Sequence, residues 1–357
     1  MKKLLNKITN WEGWPFKILY TPISFFWGWY IFKSKSLWFF TASNPTLTFG
    51  GMVGEPKTEM YNLLPATLYP ITFKVLPNEN FLLIEQKLVQ YKINYPLIVK
   101  PEVGGQGILL RKINSGEELK WYHANMPWEY LVQEFVQYAM EVSIFYIRHP
   151  EEKKGLVTGF LLKYPLHIAG DGEQTVEQLV RQHPKAKKRI DHLFTVHKER
   201  WQDVIPAGEK YMLSYAANHT RGAQFIDLKE HIDERLVNVF DTISNNINDF
   251  YYGRYDIMCQ SVEDLKAGNN FTILEYNGCG AEPNHFYDTG YTLIGAYKEI
   301  LKHWKALYEI SKYNSKYRTK PWPLQKGIRF LTDSNKLYAA MREMDKKLGN
   351  HIQNGSP

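Results

Sequence analysis

The chain has 357 residues, 44% hydrophobic, 23% charged and 15% aromatic, with a formal net charge of +7. Those figures describe a folded protein with one large or two ordinary cores, and exclude a disordered tail, a collagen-like fibre and a disulfide-stapled miniprotein. Two cysteines, Cys259 and Cys279, are too few for a disulfide framework and suit a reducing cytoplasm. The charge is uneven: residues 1–35 hold six Lys against Glu12, residues 311–357 hold ten Lys or Arg against Asp333, Glu343 and Asp345, and 36–310 are left at −5. No nucleic-acid partner is expected, because such a binder carries its basic excess on the body of the fold. Basic ends suit contact with an anionic surface.

Residues 11–40 contain thirteen aromatic residues, five of them Trp. The longest uncharged run, 18–32, would be roughly 22 Å long as a helix against a hydrocarbon core of about 30 Å, so it should not span a membrane. Trp11, Glu12, Trp14 and Pro15 interrupt any signal-peptide core. Trp, Tyr and Lys together are the chemistry of the headgroup interface. Packing on the protein's own core or on a second copy is the alternative, and the balance leans towards a membrane surface. The apolar run 36–43 reads as a strand, followed by Asn44-Pro45 and the glycine-rich 48–57, a weak signal for a phosphate- or substrate-binding loop. Pro65, Pro70 and Pro77 mark the first boundary.

From Phe81 the texture changes. Phe81–Tyr91 is spaced as a helix, Leu97-Ile-Val runs as a strand into Lys100-Pro101, and Gly104-Gly105-Gln106-Gly107 leads to a second expected strand over 108–113. Ser115 and Glu118 form a capping box for the next helix. Such a hairpin can fold its glycine loop over phosphates while the lysine neutralises them. Tyr130-Leu-Val-Gln133-Glu134-Phe135-Val136 is a strand, Glu141 opens another, and a further strand ends in Lys163. Downstream stand Gly253-Arg254-Tyr-Asp256 and Leu274-Glu275-Tyr-Asn277-Gly278. Strand alternation puts Arg254 and Asp256 on one face, and likewise Glu275 and Asn277. Asp, Glu and Asn oxygens on adjacent strands suit Mg²⁺, and buried carboxylates without a cation are costly.

In order and spacing these segments resemble the ATP-grasp superfamily. The resemblance rests on 95–101 with 104–107, on 133–136 with Glu141, and on 253–256 with 274–278. The stretches His167-Ile-Ala-Gly-Asp-Gly172, 205–209 and Asn218-His-Thr-Arg-Gly222 look like the D-alanine–D-alanine ligase and cyanophycin synthetase branch. The likeness covers roughly 81–310; the front end looks like a poorly characterised bacterial subgroup. It implies an α/β fold of α+β subdomains, two lobes gripping ATP. The expected division is a short aromatic, basic N-terminal region over 1–80, an ATP-grasp domain over 81–310 and a basic helical tail over 311–357.

The resemblance further implies that Lys100 and Lys163 bind ATP phosphates under a lid formed by Gly104, Gly105, Gln106 and Gly107. Gln133, Glu134, Phe135 and Val136 would hold adenine through the backbone, and Glu141 the ribose hydroxyls. Asp256, Glu275 and Asn277 would hold one or two Mg²⁺, with Arg254 stabilising the transferring phosphoryl group. ATP-grasp ligases phosphorylate a carboxylate and let an amine displace the phosphate.

Arg221 suits a substrate carboxylate and His219 an amine, beside Asn218; the alternative is that they only order their loop. Glu282 and His285 lie near the phosphoryl end, where Glu282 could attract an ammonium group or pair with Arg221. The two cysteines read as packing thiols. There is no HExxH and no Cys/His cluster, so no structural zinc is expected. An ADP-forming carbon–nitrogen ligase at the inner, cytoplasmic face of the membrane, with carboxylate and amine substrates and a homodimer as an option, is the favoured reading. A phosphotransferase and a non-enzymatic nucleotide-sensing membrane adaptor stay open.

Overall fold

A computed structural model describes residues 11–348 except 215, 216, 218 and 248. Eleven strands among them form three antiparallel sheets. In chain order they are β1 (Thr72–Val75), β2 (Leu97–Pro101), β3 (Arg111–Ile113), β4 (Tyr130–Glu134), β5 (Met140–Ile147), β6 (Leu156–Tyr164), β7 (His167–Ala169), β8 (Lys210–Met212), β9 (Gln224–Asp227), β10 (Tyr252–Cys259) and β11 (Phe271–Asn277). The first sheet runs β1-β4-β2-β3, the second β11-β10-β5-β6-β9, and β7 pairs with β8 alone. Helices and antiparallel sheets together make α+β lobes. Residues 135–139, between β4 and β5, carry the chain from the first sheet to the second.

The first sheet packs Val75, Leu97, Val99 and Val132 against Ile84 and Leu88 of the Phe81–Tyr91 helix and Leu119 and Tyr122 of the Gly116–Asn125 helix. Asn80 and Ser115 cap these helices through their side chains, taking the backbone N–H of Leu82 and Glu118. The second sheet is covered on both faces. On one, Val142, Ile144, Phe160, Tyr255 and Ile257 meet Leu236, Phe240 and Ile243 of the Glu234–Asn246 helix. The other face carries the charged residues described below and is roofed by the 279–288 loop and the Leu293–Tyr317 helix.

The segment 36–43 is not a strand. Phe39–Ala42 is a short 3-10 turn, because Thr41 and Ser43 turn their hydroxyls back onto the carbonyls of Trp38 and Phe40. Its aromatic rings are buried against the Leu293–Tyr317 helix. Fully buried Asn44 then clamps this segment to β10, accepting from the N–H of Tyr251 and Tyr252 and donating to the Tyr252 carbonyl at 2.8 Å.

The glycine turn Gly50-Gly51 lies backbone to backbone on 278–280. Cys279 and Gly280 donate to the carbonyls of Gly50 and Gly51, and a Cβ at Gly51 would fall 2.7 Å from the Gly278 Cα. That contact, with φ of +74° at Gly51, requires glycine. Cys259 and Cys279 are free and buried.

Most of the basic tail forms one long helix, Leu324–Leu348. Met341 is buried in the core of the first sheet beside Leu337, Tyr338 and Met344, so this basic segment docks rather than trails.

Candidate active site

Cross-strand pairing assembles the site. Asp256 lies opposite Glu275, Arg254 opposite Asn277, Asp256 opposite Ser143, and Glu141 opposite Lys163. Paired residues share a face, so all of these side chains project from one side of the second sheet. Lys163 lies 2.7 Å from Glu141 and 3.1 Å from Asp256. Arg254 grips both Asp256 oxygens, Nε to Oδ1 at 3.2 Å and Nη2 to Oδ2 at 3.0 Å, and Asn277 donates to the same carboxylate at 3.3 Å. Burial pushes the Asp256 carboxyl up, but Arg254 and Lys163 outweigh it and hold it below the usual range. Burial wins at Glu141, whose pKa is raised despite Lys163.

Lys100 faces this group from β2. Its Nζ donates to the Tyr61 hydroxyl at 2.8 Å, to Gln133 at 3.0 Å and across to the Leu274 carbonyl of β11 at 3.3 Å. Tyr61, from the Lys57–Leu63 helix, also donates to the Leu274 carbonyl at 2.8 Å. Burial lowers the Lys100 pKa to about 8, against the pull of Glu275 and Glu102. The protonated form is the one an anion needs, so anion binding weakens as pH rises through 8, where an ordinary lysine would hold its proton to about 10.4. The linked effect on stability has the opposite sign. The unfolded chain binds the proton more tightly, so stability rises between pH 8 and the ordinary lysine value. ATP affinity measured from pH 6.5 to 9.5 should therefore fall on the alkaline side, and Lys100→Arg should flatten that limb. An alkaline limb identical in the two proteins would remove Lys100 as its source.

The glycine loop is not the start of a strand over 108–113. β3 begins only at Arg111, because Leu109 has a φ of +56° and spends its N–H on Asp345. Asp345, on the last helix, also takes Arg111 at 2.8 Å and lies 3.7 Å from Arg221. Arg221 in turn donates to the Gln106 carbonyl at 2.8 Å. Gly104 accepts from Lys57 Nζ at 2.7 Å, and Gly105 lies close to the Tyr338 hydroxyl. The loop with Gly104, Gly105, Gln106 and Gly107 is thus tied to Arg221 and to the last helix.

Glu134 accepts from the Ile71 N–H, and its own N–H goes to the Ile71 carbonyl; Phe135 and Val136 lie in the crossing between the two sheets. Glu282 pairs with Tyr20 at 2.6 Å and Tyr287 at 3.0 Å rather than with Arg221, and burial raises its pKa. Its carbonyl accepts from Arg254 at 3.3 Å. His219 stacks on Tyr287 at 4.0 Å, and burial lowers its pKa to about 4. His285 turns away from the charged cluster towards the Leu293–Tyr317 helix. Asn218 lies outside the described residues.

Sequence reasoning missed four groups. Tyr61 and Lys57 sit beside Lys100 and the glycine loop, and Lys57 ended a glycine-rich turn that was itself a signal. Buried Glu102 takes the N–H and hydroxyl of Thr58. Glu55 is half-buried, its pKa raised to about 7 by loss of solvent, with one oxygen unpartnered among the described residues. The donor set Asp256, Glu275 and Asn277 is all oxygen and projects from one strand pair, which fits Mg²⁺. The arrangement can neutralise a polyanion from two sides, with Lys57 and Lys100 opposite Lys163 and Arg254.

No protein-family model matches the sequence, and no curated protein matches it. Among solved structures the chain is similar to a bifunctional glutathione synthetase from Pasteurella multocida, with 14% identity and a TM-score of 0.36 over 69% of this chain and 36% of that one. It is also similar to D-alanine–D-alanine ligase from Bacillus anthracis, with 14% identity and a TM-score of 0.42 over 74% of this chain and 69% of that one. A third is an ATP-grasp ligase complexed with a minimal precursor, with 12% identity and a TM-score of 0.38 over 69% and 60%. The chain spans about a third of the glutathione synthetase it matches.

Proposed function

We propose that this chain is an ATP- and Mg²⁺-dependent carboxylate–amine ligase working through an acyl phosphate. One observation carries the reading: cations from two sheets, Lys100 on one and Lys163 and Arg254 on the other, converge beside an all-oxygen set made by Asp256, Glu275 and Asn277. Lys100 and Lys163 hold the phosphates. Residues 133–136, at the crossing between sheets, take the base through backbone groups, and Glu141 the ribose. Asp256, Glu275 and Asn277 would hold Mg²⁺, which would supply charge to offset the phosphates. Arg254 stabilises the phosphoryl group as it passes to the acid, and amine attack then expels phosphate. The glycine loop, latched through Arg221 and Asp345, excludes water that would hydrolyse the acyl phosphate.

The second part of the proposal is the place of work. No helix among the described residues is long and apolar enough to cross a membrane. The Ser24–Ser34 helix buries none of its residues fully. Trp27 and Tyr30 pack on Trp304 and Tyr308, while Phe25, Trp29 and Phe32 are 64%, 50% and 73% exposed at helical spacing. With Phe26 and Gly28 they line a shallow apolar groove, flanked by Lys33 and Lys35. That face suits the headgroup layer of an anionic membrane at the cytoplasmic side. The same front segment sends Tyr20 to Glu282, so a membrane-borne or amphipathic acid would enter beside the phosphoryl end.

The test is release of ADP and phosphate from ATP and Mg²⁺ with pools of amino acids, small peptides and amphipathic acids, with and without anionic liposomes. Turnover requiring both an acid and an amine is expected. ADP without free phosphate would mean a kinase, and ATP binding without turnover under any pool would mean a sensor. In flotation, Phe25→Ser, Trp29→Ser and Phe32→Ser should each weaken liposome binding roughly tenfold or more. These variants are better probes than deletion of 1–35, which would also remove the buried Leu19 and Ile23. Unchanged flotation would end the membrane reading.

A further inference from the structure

Outside the charged cleft, three side chains converge under the Leu293–Tyr317 helix. Glu299 and His303 are four apart on it and share a face, one turn apart. His285 reaches them from the Asn284–Phe286 turn. The Nε2 atoms of His285 and His303 lie 3.4 Å and 3.3 Å from the same Glu299 oxygen, Oε1. All three ligand atoms fall within 4.8 Å of one another, and among the described residues no other set of three His, Cys, Asp or Glu does so. His285 and His303 are 5% and 0% exposed. Both ring nitrogens of His285 and the Nε2 of His303 make no hydrogen bond among the described residues, close as both Nε2 atoms lie to Glu299.

We propose that His285, Glu299 and His303 bind a divalent cation of the zinc class. In a tetrahedral site with metal–ligand distances of about 2.0–2.1 Å, neighbouring ligand atoms stand about 3.3–3.4 Å apart. That is the spacing of the two Nε2–Oε1 pairs. Two imidazoles and one carboxylate favour zinc-like ions over Mg²⁺, which distinguishes this set from the oxygen donors of Asp256, Glu275 and Asn277.

The surroundings fit a metal ligand shell. The Tyr252 hydroxyl lies 3.5 Å from His303 Nδ1, on the side away from the cluster, where a partner orients a ligating ring. Phe145 stands edge-on to His303 at 4.4 Å and excludes water there. Gly159 on β6 leaves room for the His285 ring: a Cβ at that position would lie 2.3 Å from its Nδ1. Lys302 also reaches Glu299 Oε1 at 3.5 Å, but its side chain is mostly exposed and can swing into solvent. A water or the second Glu299 oxygen completes the coordination. The ion would pin the 279–288 loop, which carries Glu282, to the long helix.

The test uses the full chain without a histidine tag. Zinc content is measured after dialysis, followed by calorimetric titration of the metal-stripped protein with Zn²⁺ and by visible spectra of the Co²⁺ form. About one equivalent is expected in the wild type, with imidazole-type cobalt bands and a Zn²⁺-dependent rise in Tm. Glu299→Gln and His285→Asn should weaken binding tenfold or more. Glu299→Gln keeps the shape of the side chain and decides the matter if His285→Asn does not fold. Asp256→Asn should keep its zinc equivalent. No uptake by the wild type, or uptake unchanged in Glu299→Gln, would overturn the proposal.

Discussion

Lys163→Met should cost about 3–5 kcal/mol of stability and abolish ATP turnover. The Lys163 side chain is 5% exposed and its ammonium lies between the Glu141 and Asp256 carboxylates, so its removal leaves two buried acids with one remaining cation, Arg254. The loss should depend on pH in a defined sense. Without Lys163 the Glu141 carboxyl, already raised by burial, rises further above its unfolded value. A group whose folded pKa is raised contributes its stability at low pH and loses it as pH climbs through that pKa. The variant should therefore be closer to wild type at pH 5 than at pH 8. Adding Glu141→Gln should recover part of the stability at pH 8, because one unpaired charge is gone, without recovering turnover. A thermal or urea double-mutant cycle at both pH values measures this. Equal losses at pH 5 and pH 8, with no gain from the second substitution, would mean that Lys163 acts by packing alone.

What could be read from the sequence was whatever a strand's period fixes. Alternation alone puts Arg254 with Asp256 and Glu275 with Asn277, and the observed register then sets Asp256 opposite Glu275. Lys163 and Glu141 sit on different strands, and only the observed register sets them opposite each other. Contacts between distant segments left no such trace. Tyr61 joins Lys100 from 39 residues away, and Tyr20 reaches Glu282 from 262 away. Asp345 locks the glycine loop from a helix whose sequence reads only as a basic tail. Two local readings failed for physical reasons. Hydroxyls of Thr41 and Ser43 satisfied nearby carbonyls and closed a turn where apolar runs suggested a strand. The hairpin arm at 108–110 gave its N–H at Leu109 to Asp345 instead of to a strand. No Cys/His cluster shows in the sequence because His285 meets Glu299 and His303 only once the loop folds under the helix, although the spacing of the latter two is visible.

Arg254→Met should lower kcat/KM for ATP by about 10²–10³ while ADP binding changes little. Its guanidinium spans both Asp256 oxygens and the Glu282 carbonyl, so it sits between the oxygen donors and the 279–288 loop. Under the proposed function, charge that develops on a transferring phosphoryl group would be met there, whereas Lys100 and Lys163 would hold the bound nucleotide. Arg254→Lys should restore little. A lysine offers one compact charge and cannot take both carboxylate oxygens and the carbonyl at once. The Asp256 carboxylate keeps Lys163 and Asn277 in either variant, so the fold should survive with a smaller loss of stability than Lys163→Met brings. Steady-state release of ADP and phosphate, with ADP affinity measured in parallel, separates the two effects. Turnover within tenfold of wild type would show that Arg254 serves Asp256 and not the phosphoryl group. A matching loss of ADP affinity would make it a ground-state binding residue.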